Sequence, residues 1–177
     1  MKNSYKTIFT FGLLILLSVA MYLIYTGNKS KTAFVKNVDL YNDFALKKEL
    51  EAKLLSVKNQ RKTILDSLVV QLKMMSSELE YTAKKDEVKM QQFQIRKQEY
   101  LMKEKEFDED SERLSQQYSD QIWKQINQYV SDFGKEEGYE YIYGAIGNGA
   151  MMYAKEKNDI TAELKVYINN KYKGDKN

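Results

Sequence analysis

Any chemistry in this 177-residue chain would have to come from carboxylates, lysines and tyrosines, because the sequence contains no cysteine and no histidine. Those absences exclude disulfides, thiolate nucleophiles, Cys/His zinc sites and imidazole general bases. Paired carboxylates could still hydrolyse a substrate, but they would have to converge in a cleft, and long helices offer acids only on exposed faces. The sequence therefore predicts a protein that is not an enzyme and that has no cofactor and no metal.

One glycine-rich stretch, GAIGNG at residues 144–149, could be taken for a phosphate-binding loop. It lacks the GxGxxG spacing, no helix pattern follows it directly, and its lysine comes too late. We interpret the stretch as the turn of a β-hairpin. In the strand before the turn, Tyr139, Tyr141 and Tyr143 alternate onto one face, and residues 150–154 are expected to form the return strand.

Residues 1–30 have the composition of a membrane-directed segment. Residues 8–25 carry no charge, and eighteen residues at about 1.5 Å each span roughly 27 Å, close to the hydrocarbon thickness of a bilayer. This length favours an uncleaved signal anchor, with the bulk of the chain outside the cytoplasm. The alternative is a signal peptide that is cleaved after Ala20, where Ser18-Val19-Ala20 has the small-x-small form.

Charge in the remaining chain is balanced. The net charge of +3 equals the contribution of Lys2, Lys6 and Lys29, since 25 basic and 25 acidic residues remain without them. A nucleic-acid partner is therefore not expected, because such partners require a basic excess. Five basic residues still cluster around one turn and could contact anionic lipid or acidic segments, or could simply keep a helix end soluble. They are Lys84, Lys85, Lys89, Arg96 and Lys97.

Residues 39–133 have the pattern of two long helical arms. The first arm carries an apolar stripe at three- and four-residue spacing, which Arg61 interrupts: Leu50, Leu54, Val57, Ile64, Leu68, Leu72, Met75 and Leu79. The second arm carries Phe93, Tyr100, Phe107 and Leu114 at seven-residue spacing, followed by Tyr118, Ile122, Ile126, Tyr129 and Phe133. Two antiparallel arms that turn near residues 84–88 would bury the two stripes against each other.

Residues 31–38 and 134–177 are expected to form a small β-containing body around the base of the arms. TAFVKNV at residues 32–38 suits a strand, and Asp39 could cap the first helix. Gly134 is expected to end the second arm. A short C-terminal helix would be capped by Asp159 or Thr161 and would pack through Leu164, Tyr167 and Ile168.

The predicted fold class is α+β and mostly α: a long antiparallel helical hairpin inserted into a small β-sheet body with a short C-terminal helix. Such a small sheet leaves unpaired edges, which pairing with further copies of the chain would close. The candidate oligomerisation residues are Phe34, Val35, Tyr139, Tyr141, Tyr143 and Met152.

The stretches that flank the arms resemble the Skp/OmpH-like family of periplasmic chaperones for outer-membrane proteins. They are AFVKNVDLYNDF at residues 33–44 and, after the second arm, VSDFGKEEGYEYIYG, AMMYAKEKNDIT and AELKVYI. The resemblance implies a homotrimer whose strands form a central body and whose arms surround a cavity for unfolded outer-membrane β-barrel proteins, held without ATP. The chain departs from the family in its anchor-like N-terminus and in the balanced charge of its arms.

A chaperone of this kind needs many weak apolar contacts, which the flexible side chain of methionine provides well. The candidate client-contact residues are Val69, Met74, Met75 and Met90, although packing between the arms would also explain the methionines. The leading hypothesis is an ATP-independent periplasmic holdase, anchored to the inner membrane by residues 8–25. The alternative is a membrane-anchored coiled-coil scaffold that bridges components of the envelope.

Overall fold

The computed structural model describes residues 12–22, 30–81 and 86–174. Residues 12–22 are helical (α1), and among the described residues no helix is long and apolar enough to cross a membrane. The other residues of the predicted membrane segment, 8–11 and 23–25, lie outside the described ranges. The remaining elements are β1 (Thr32–Lys36), α2 (Asn37–Asp43), α3 (Ala45–Tyr81), α4 (Glu87–Glu136), β2 (Tyr141–Ala145), a single 3-10 turn (Glu156–Asn158) and α5 (Thr161–Gly174).

The sheet consists of β1 and β2, which pair in parallel from Thr32 opposite Tyr141 to Lys36 opposite Ala145. Parallel strands cannot be joined by a tight turn, and here the whole helical hairpin is the connection between them. The prediction of a mostly helical α+β fold, with the hairpin inserted into a small sheet, is confirmed.

The predicted return strand at residues 150–154 is wrong, because these residues are not in a strand. The chain does not fold back along β2 but crosses to the far side of β1. There the Ile160 N–H donates to the Phe34 carbonyl at 3.0 Å, and the Lys36 N–H donates to the Thr161 hydroxyl at 2.9 Å. The segment after β2 therefore has to bridge the sheet, and it cannot also form a hairpin.

The first arm bends at Phe44, which separates α2 from α3 and is extended (φ −73°, ψ 130°). The side chain of Asn169 on α5 spans the bend: it accepts from the Ala45 N–H at 2.8 Å and donates to the Asp43 carbonyl at 3.2 Å. Both are backbone groups that a continuous helix would pair internally. The sequence predicted one continuous arm helix with Asp39 as its cap, and both parts of this prediction are wrong. The helix is divided at Phe44, and Asp39 lies within the first turn of α2.

An ion pair reinforces this contact between α2 and α5. Lys165 Nζ lies 2.8 Å from Asp43 Oδ2. The hydrogen bond between them lowers the pKa of the Asp43 carboxyl and raises the pKa of the Lys165 ammonium. Because the pair is solvent-exposed, it adds little stability beside the buried contacts around it.

The C-terminal helix begins as predicted. The Asp159 carboxylate accepts from the Thr161 N–H at 2.9 Å, and Leu164 and Ile168 are completely buried. Tyr167 packs partly buried against the same core.

Gly134 does not end the second arm, contrary to the prediction. It is buried inside α4, where a Cβ atom would lie 3.4 Å from the Ile142 side chain of β2. The helix ends at Glu136, and two residues later Gly138 has a left-handed φ of 70°. The Tyr139 N–H then donates to the Gly134 carbonyl at 2.8 Å, which closes the helix in a Schellman-type arrangement.

The hydrophobic core lies at the base of the arms. Its buried residues are Ala33, Val35, Leu40, Phe44, Leu46, Leu50, Ile122, Ile126, Tyr129, Phe133, Ile160, Leu164 and Ile168. The core therefore extends past the predicted limits of the body into both arms. Val35, which was predicted to lie on an oligomerisation face, belongs instead to the core of the single chain and is 3% exposed.

Replacing Asn169 with alanine is expected to lower the free energy of unfolding by about 1–3 kcal/mol, because two backbone groups at the bend lose their partner. Urea unfolding followed by circular dichroism would measure this loss. The matched control is Asn170→Ala at the exposed neighbouring position, which is expected to change stability by less than about 0.5 kcal/mol. Equal stability of the two variants would contradict the role of Asn169 at the bend.

Candidate functional site

Beyond the core, α3 and α4 pack side by side through a thin seam. Leu68 and Leu79 are the buried members of this seam on α3, and most of the other predicted stripe residues are half-buried. One residue of the predicted stripe is wrong: Ile64 is 45% exposed, and the half-buried Leu65 faces α4 in its place. With Leu65, the stripe continues from Val57 to Leu68 at four-, four- and three-residue spacing, and Arg61 occupies one of its positions.

Arg61 lies in the seam and bonds to α4 at three points. Its guanidinium donates to the Phe107 carbonyl at 3.2 Å and to the Ser111 hydroxyl at 2.9 Å, and it pairs with the Asp110 carboxylate. The guanidinium also lies over the Phe107 ring, 5.3 Å from its centroid. Arg113 on α4 shares the same carboxylate. A charged residue in this position is satisfied only in one register, so Arg61 aligns the two arms.

The returning arm starts from a capped end. α3 ends at Tyr81, and α4 starts at Glu87 after Asp86, whose carboxylate accepts from the Lys89 N–H at 3.1 Å. This side-chain bond satisfies one of the free amides of the first helical turn.

The predicted basic tip is only partly described. Lys84 and Lys85 lie outside the described residues. Lys89 lies 3.7 Å from Glu78, and Arg96 lies 2.6 Å from Glu99, so both have an acidic neighbour. Lys97 is exposed on α4.

Two grooves lie along the arms. We call the first the methionine groove: it has a volume of about 520 Å³ and is lined by Met74, Met75 and Ile95, together with Gln71, Glu78, Gln92, Arg96 and Glu99. We call the second the charged groove: it has a volume of about 960 Å³, nine of its sixteen lining residues are charged, and it includes Val69 and Leu101. Val69 and Met74 are five residues apart, which places them about 140° apart around a helix.

The structure therefore separates the predicted client-contact residues. Met74 and Met75 share the methionine groove, and Val69 lines the charged groove. Met90 is half-buried near the start of α4. Four residues that looked equivalent in the sequence thus belong to different surfaces of the arm.

Three exposed apolar residues on α4 are not among the predicted client-contact residues. Val88, Ile95 and Met102 are 64%, 60% and 66% exposed. Their seven-residue spacing keeps them on one stripe of the helix, and Ile95 and Met102 each lie about 160° around the helix from the seam residue two positions before them. The signal was present in the sequence, but spacing alone does not distinguish a buried stripe from an exposed one.

The predicted oligomerisation residues also divide. Tyr141 and Tyr143 are exposed on one face of β2, with their rings stacked at 6.0 Å. Phe34, Tyr143 and Met152 line a groove of about 1120 Å³ between β1 and residues 150–158. Tyr139 lies apart from them, because its ring stacks on Phe133 at 6.0 Å and is partly buried.

These features define a class of protein: a small body with a parallel two-stranded sheet, from which one long helical hairpin projects. In the described part of the chain, no group of three or more acidic side chains could hold a metal ion. The chain belongs to the family described as outer membrane protein (OmpH-like), whose model matches residues 31–168. The family that the sequence stretches resembled is thereby confirmed.

The comparison with known structures agrees with this assignment. The chain is similar to an OmpH-like candidate outer membrane chaperone from Caulobacter crescentus CB15, with a TM-score of 0.70 and 13% sequence identity, over 81% of this chain and 86% of that one. At this identity the similarity shows the fold alone. None of the curated proteins with which the chain was compared matches it.

Replacing Arg61 with alanine is expected to destabilise the pairing of the arms by about 1–3 kcal/mol. The Phe107 carbonyl, the Ser111 hydroxyl and the Asp110 carboxylate would each lose the guanidinium as a partner. Hydrogen exchange of amides in residues 61–79 and 93–111 would report the loss as faster exchange. The matched control is Arg113→Ala, which removes a more exposed partner of the same Asp110 carboxylate and should cost less than about 1 kcal/mol. Unchanged exchange in the Arg61 variant would contradict its aligning role.

Proposed function

We propose that this protein is an ATP-independent holdase chaperone that binds unfolded outer-membrane proteins between its helical arms and prevents their aggregation before membrane insertion. Membership of the OmpH-like family supports this proposal. The observation that carries it is the exposure of large apolar side chains along arms that extend beyond the core. They include Val70, Met74, Val88, Ile95 and Met102, each more than half exposed.

Shallow apolar contacts suit the binding and release of an unfolded client better than a deep pocket does. An unfolded client must be bound tightly enough to prevent aggregation and weakly enough to be released. Several partly exposed side chains contribute separately to such binding, since each buries only part of its apolar area. Flexible methionines such as Met74 and Met102 can adapt to different client side chains.

The glycine-rich stretch gives no reason to add a nucleotide to this mechanism. Gly144 lies within β2, while Gly147 and Gly149 have positive φ values of 74° and 91° in the exposed segment that follows. No helix starts directly after this segment in the described chain, so a phosphate would not meet a helix N-terminus there.

Self-association through the sheet completes the proposal. β1 and β2 form a sheet of only two strands, and the exposed Tyr141, Tyr143 and Met152 lie beside it. Pairing with other copies would cover this surface and satisfy free strand edges. We take the assembly to be a homotrimer on the periplasmic side of the envelope. Residues 8–25 would hold it at the inner membrane, unless cleavage releases it. The basic tip would then contact anionic lipid.

The holdase activity is tested by diluting a urea-unfolded outer-membrane β-barrel into buffer with and without the protein, and by following light scattering. We expect aggregation to be suppressed at stoichiometric amounts and the effect to be independent of added ATP. Bovine serum albumin at equal mass is the control for non-specific protection. A protein that fails to reduce scattering would favour the scaffold alternative.

Replacing Tyr141 and Tyr143 together with aspartate is expected to disrupt the assembly, because two aromatic side chains of each chain would be replaced by charges at the proposed trimer contact. Light scattering coupled to gel filtration should then give the mass of the single chain, 20.8 kDa, with unchanged helix content. Tyr81→Asp makes the same substitution at an exposed position at the end of α3 and should leave the assembly intact. Persistent oligomers in the double variant would refute this contact.

A further inference from the structure

The outer halves of the arms carry a second apolar stripe that is separate from the seam. On α4 it consists of Val88, Ile95 and Met102, and on α3 of Met74 and Tyr81, again seven residues apart. All five side chains are at least 60% exposed. Large exposed apolar side chains that recur on one face mark a candidate binding site.

The antiparallel register brings the two stripes together. Lys89 lies beside Glu78 near the tip, and Arg61 pairs with Asp110 further down. This alignment places Tyr81 across from Val88 and Met74 across from Ile95. The last two residues line the methionine groove together. The five residues therefore form one band across a single face of the hairpin, which we call the outer-arm band.

The charges beside the band are neutralised. Of the residues that line the methionine groove, Arg96 pairs with Glu99, and Glu78 lies 3.7 Å from Lys89. The groove is otherwise lined by apolar side chains and by two amides, Gln71 and Gln92. A site without net charge favours an uncharged apolar ligand, and the amides can bond to the backbone of an extended chain. The charged groove, by contrast, is lined by nine charged side chains and by no amide side chain.

The length of the band fits a short extended segment. Val88 and Met102 are fourteen residues apart, which is about 21 Å along a helix. An extended strand covers that distance in about six residues, and every second side chain faces the same way. Membrane strands of β-barrels alternate apolar and polar residues over about ten positions, so they present such a row of apolar side chains.

We infer that the outer-arm band binds alternating, uncharged strand segments of unfolded β-barrel proteins, and that this face of the hairpin is the one that holds the client. The inference rests on the proposed function and adds to it the face and the kind of segment. The band is also remote from the tyrosine face, since Met74 lies 29 residues, or about 44 Å of helix, beyond Ala45. Contact between copies through the sheet would therefore leave the band available.

The test compares two double variants of the full chain. Met74→Glu/Ile95→Glu charges the band, and Leu55→Glu/Leu101→Glu charges apolar residues of similar exposure outside it. Glutamate is a good helix former, so both variants should keep the helix content of the wild type. We expect the band variant to need about tenfold more protein for half-maximal suppression of β-barrel aggregation, and the control to match the wild type.

Each contrary result has a distinct meaning. Equal loss in both variants, or no loss in the band variant, overturns the inference about the face and leaves the holdase function standing. A change in the oligomeric mass of the band variant overturns it as well, because the band would then be a contact between copies. Failure of the wild type to suppress aggregation overturns the proposed function itself, and the inference with it.

A photo-crosslinker identifies the client segment directly. Benzoylphenylalanine at position 95 is expected to react with membrane strands of the client at least about fivefold more than the same group at position 101, since only the former lies on the band. Mass spectrometry of the crosslinked peptides locates the reaction. Crosslinks concentrated in polar loops of the client would contradict binding of alternating strand segments.

Discussion

β1 and β2 run in the same direction, and this parallel pairing dictates the shape of the whole chain. Two parallel strands need a connection that returns the chain to the end from which it started. Here α2, α3 and α4 make that connection as a hairpin of outward and returning helices. Because only its base is needed to cover the sheet, the remainder of the hairpin projects away from the core.

Packing divides the molecule into a firm base and slender arms. At the base, residues from five helices and strands bury a continuous core around Phe44 and Leu164. Along the arms, each helix packs against one other helix of the described chain, so most seam residues remain half-buried. The register then depends on specific contacts such as that of Arg61. Two paired helices cannot cover all their apolar side chains, and the uncovered ones are available to a partner.

The same architecture explains how the proposed holdase could act. Holding an unfolded chain requires exposed apolar surface that does not cause the holder itself to aggregate. The arms meet this requirement by separating apolar positions with charged ones, and by neutralising charges near the methionine groove, as Arg96 and Glu99 do. The exposed tyrosines of β2 lie on the body, so the proposed assembly contact and the proposed client contact would use different parts of the chain.

The sequence by itself determined the helical arms, the strand that begins at Thr32 and the packing face of α5, because each follows from local periodicity or from short capping patterns. The strand was predicted to extend to Val38 but ends at Lys36, after which α2 begins. The insertion of the hairpin into one sheet was predicted with the resemblance of the flanking stretches to the OmpH-like family. Tertiary structure alone decided that the segment after β2 crosses β1, because strand partners are chosen by distant residues. It also decided that the helix bends at Phe44, where Asn169 of α5 satisfies the interrupted backbone. The sequence identified Met74 and Val69 as candidate contact residues, but it could not assign them to different grooves. The facing helix decides which side of an arm is covered, and its position is a property of the tertiary structure.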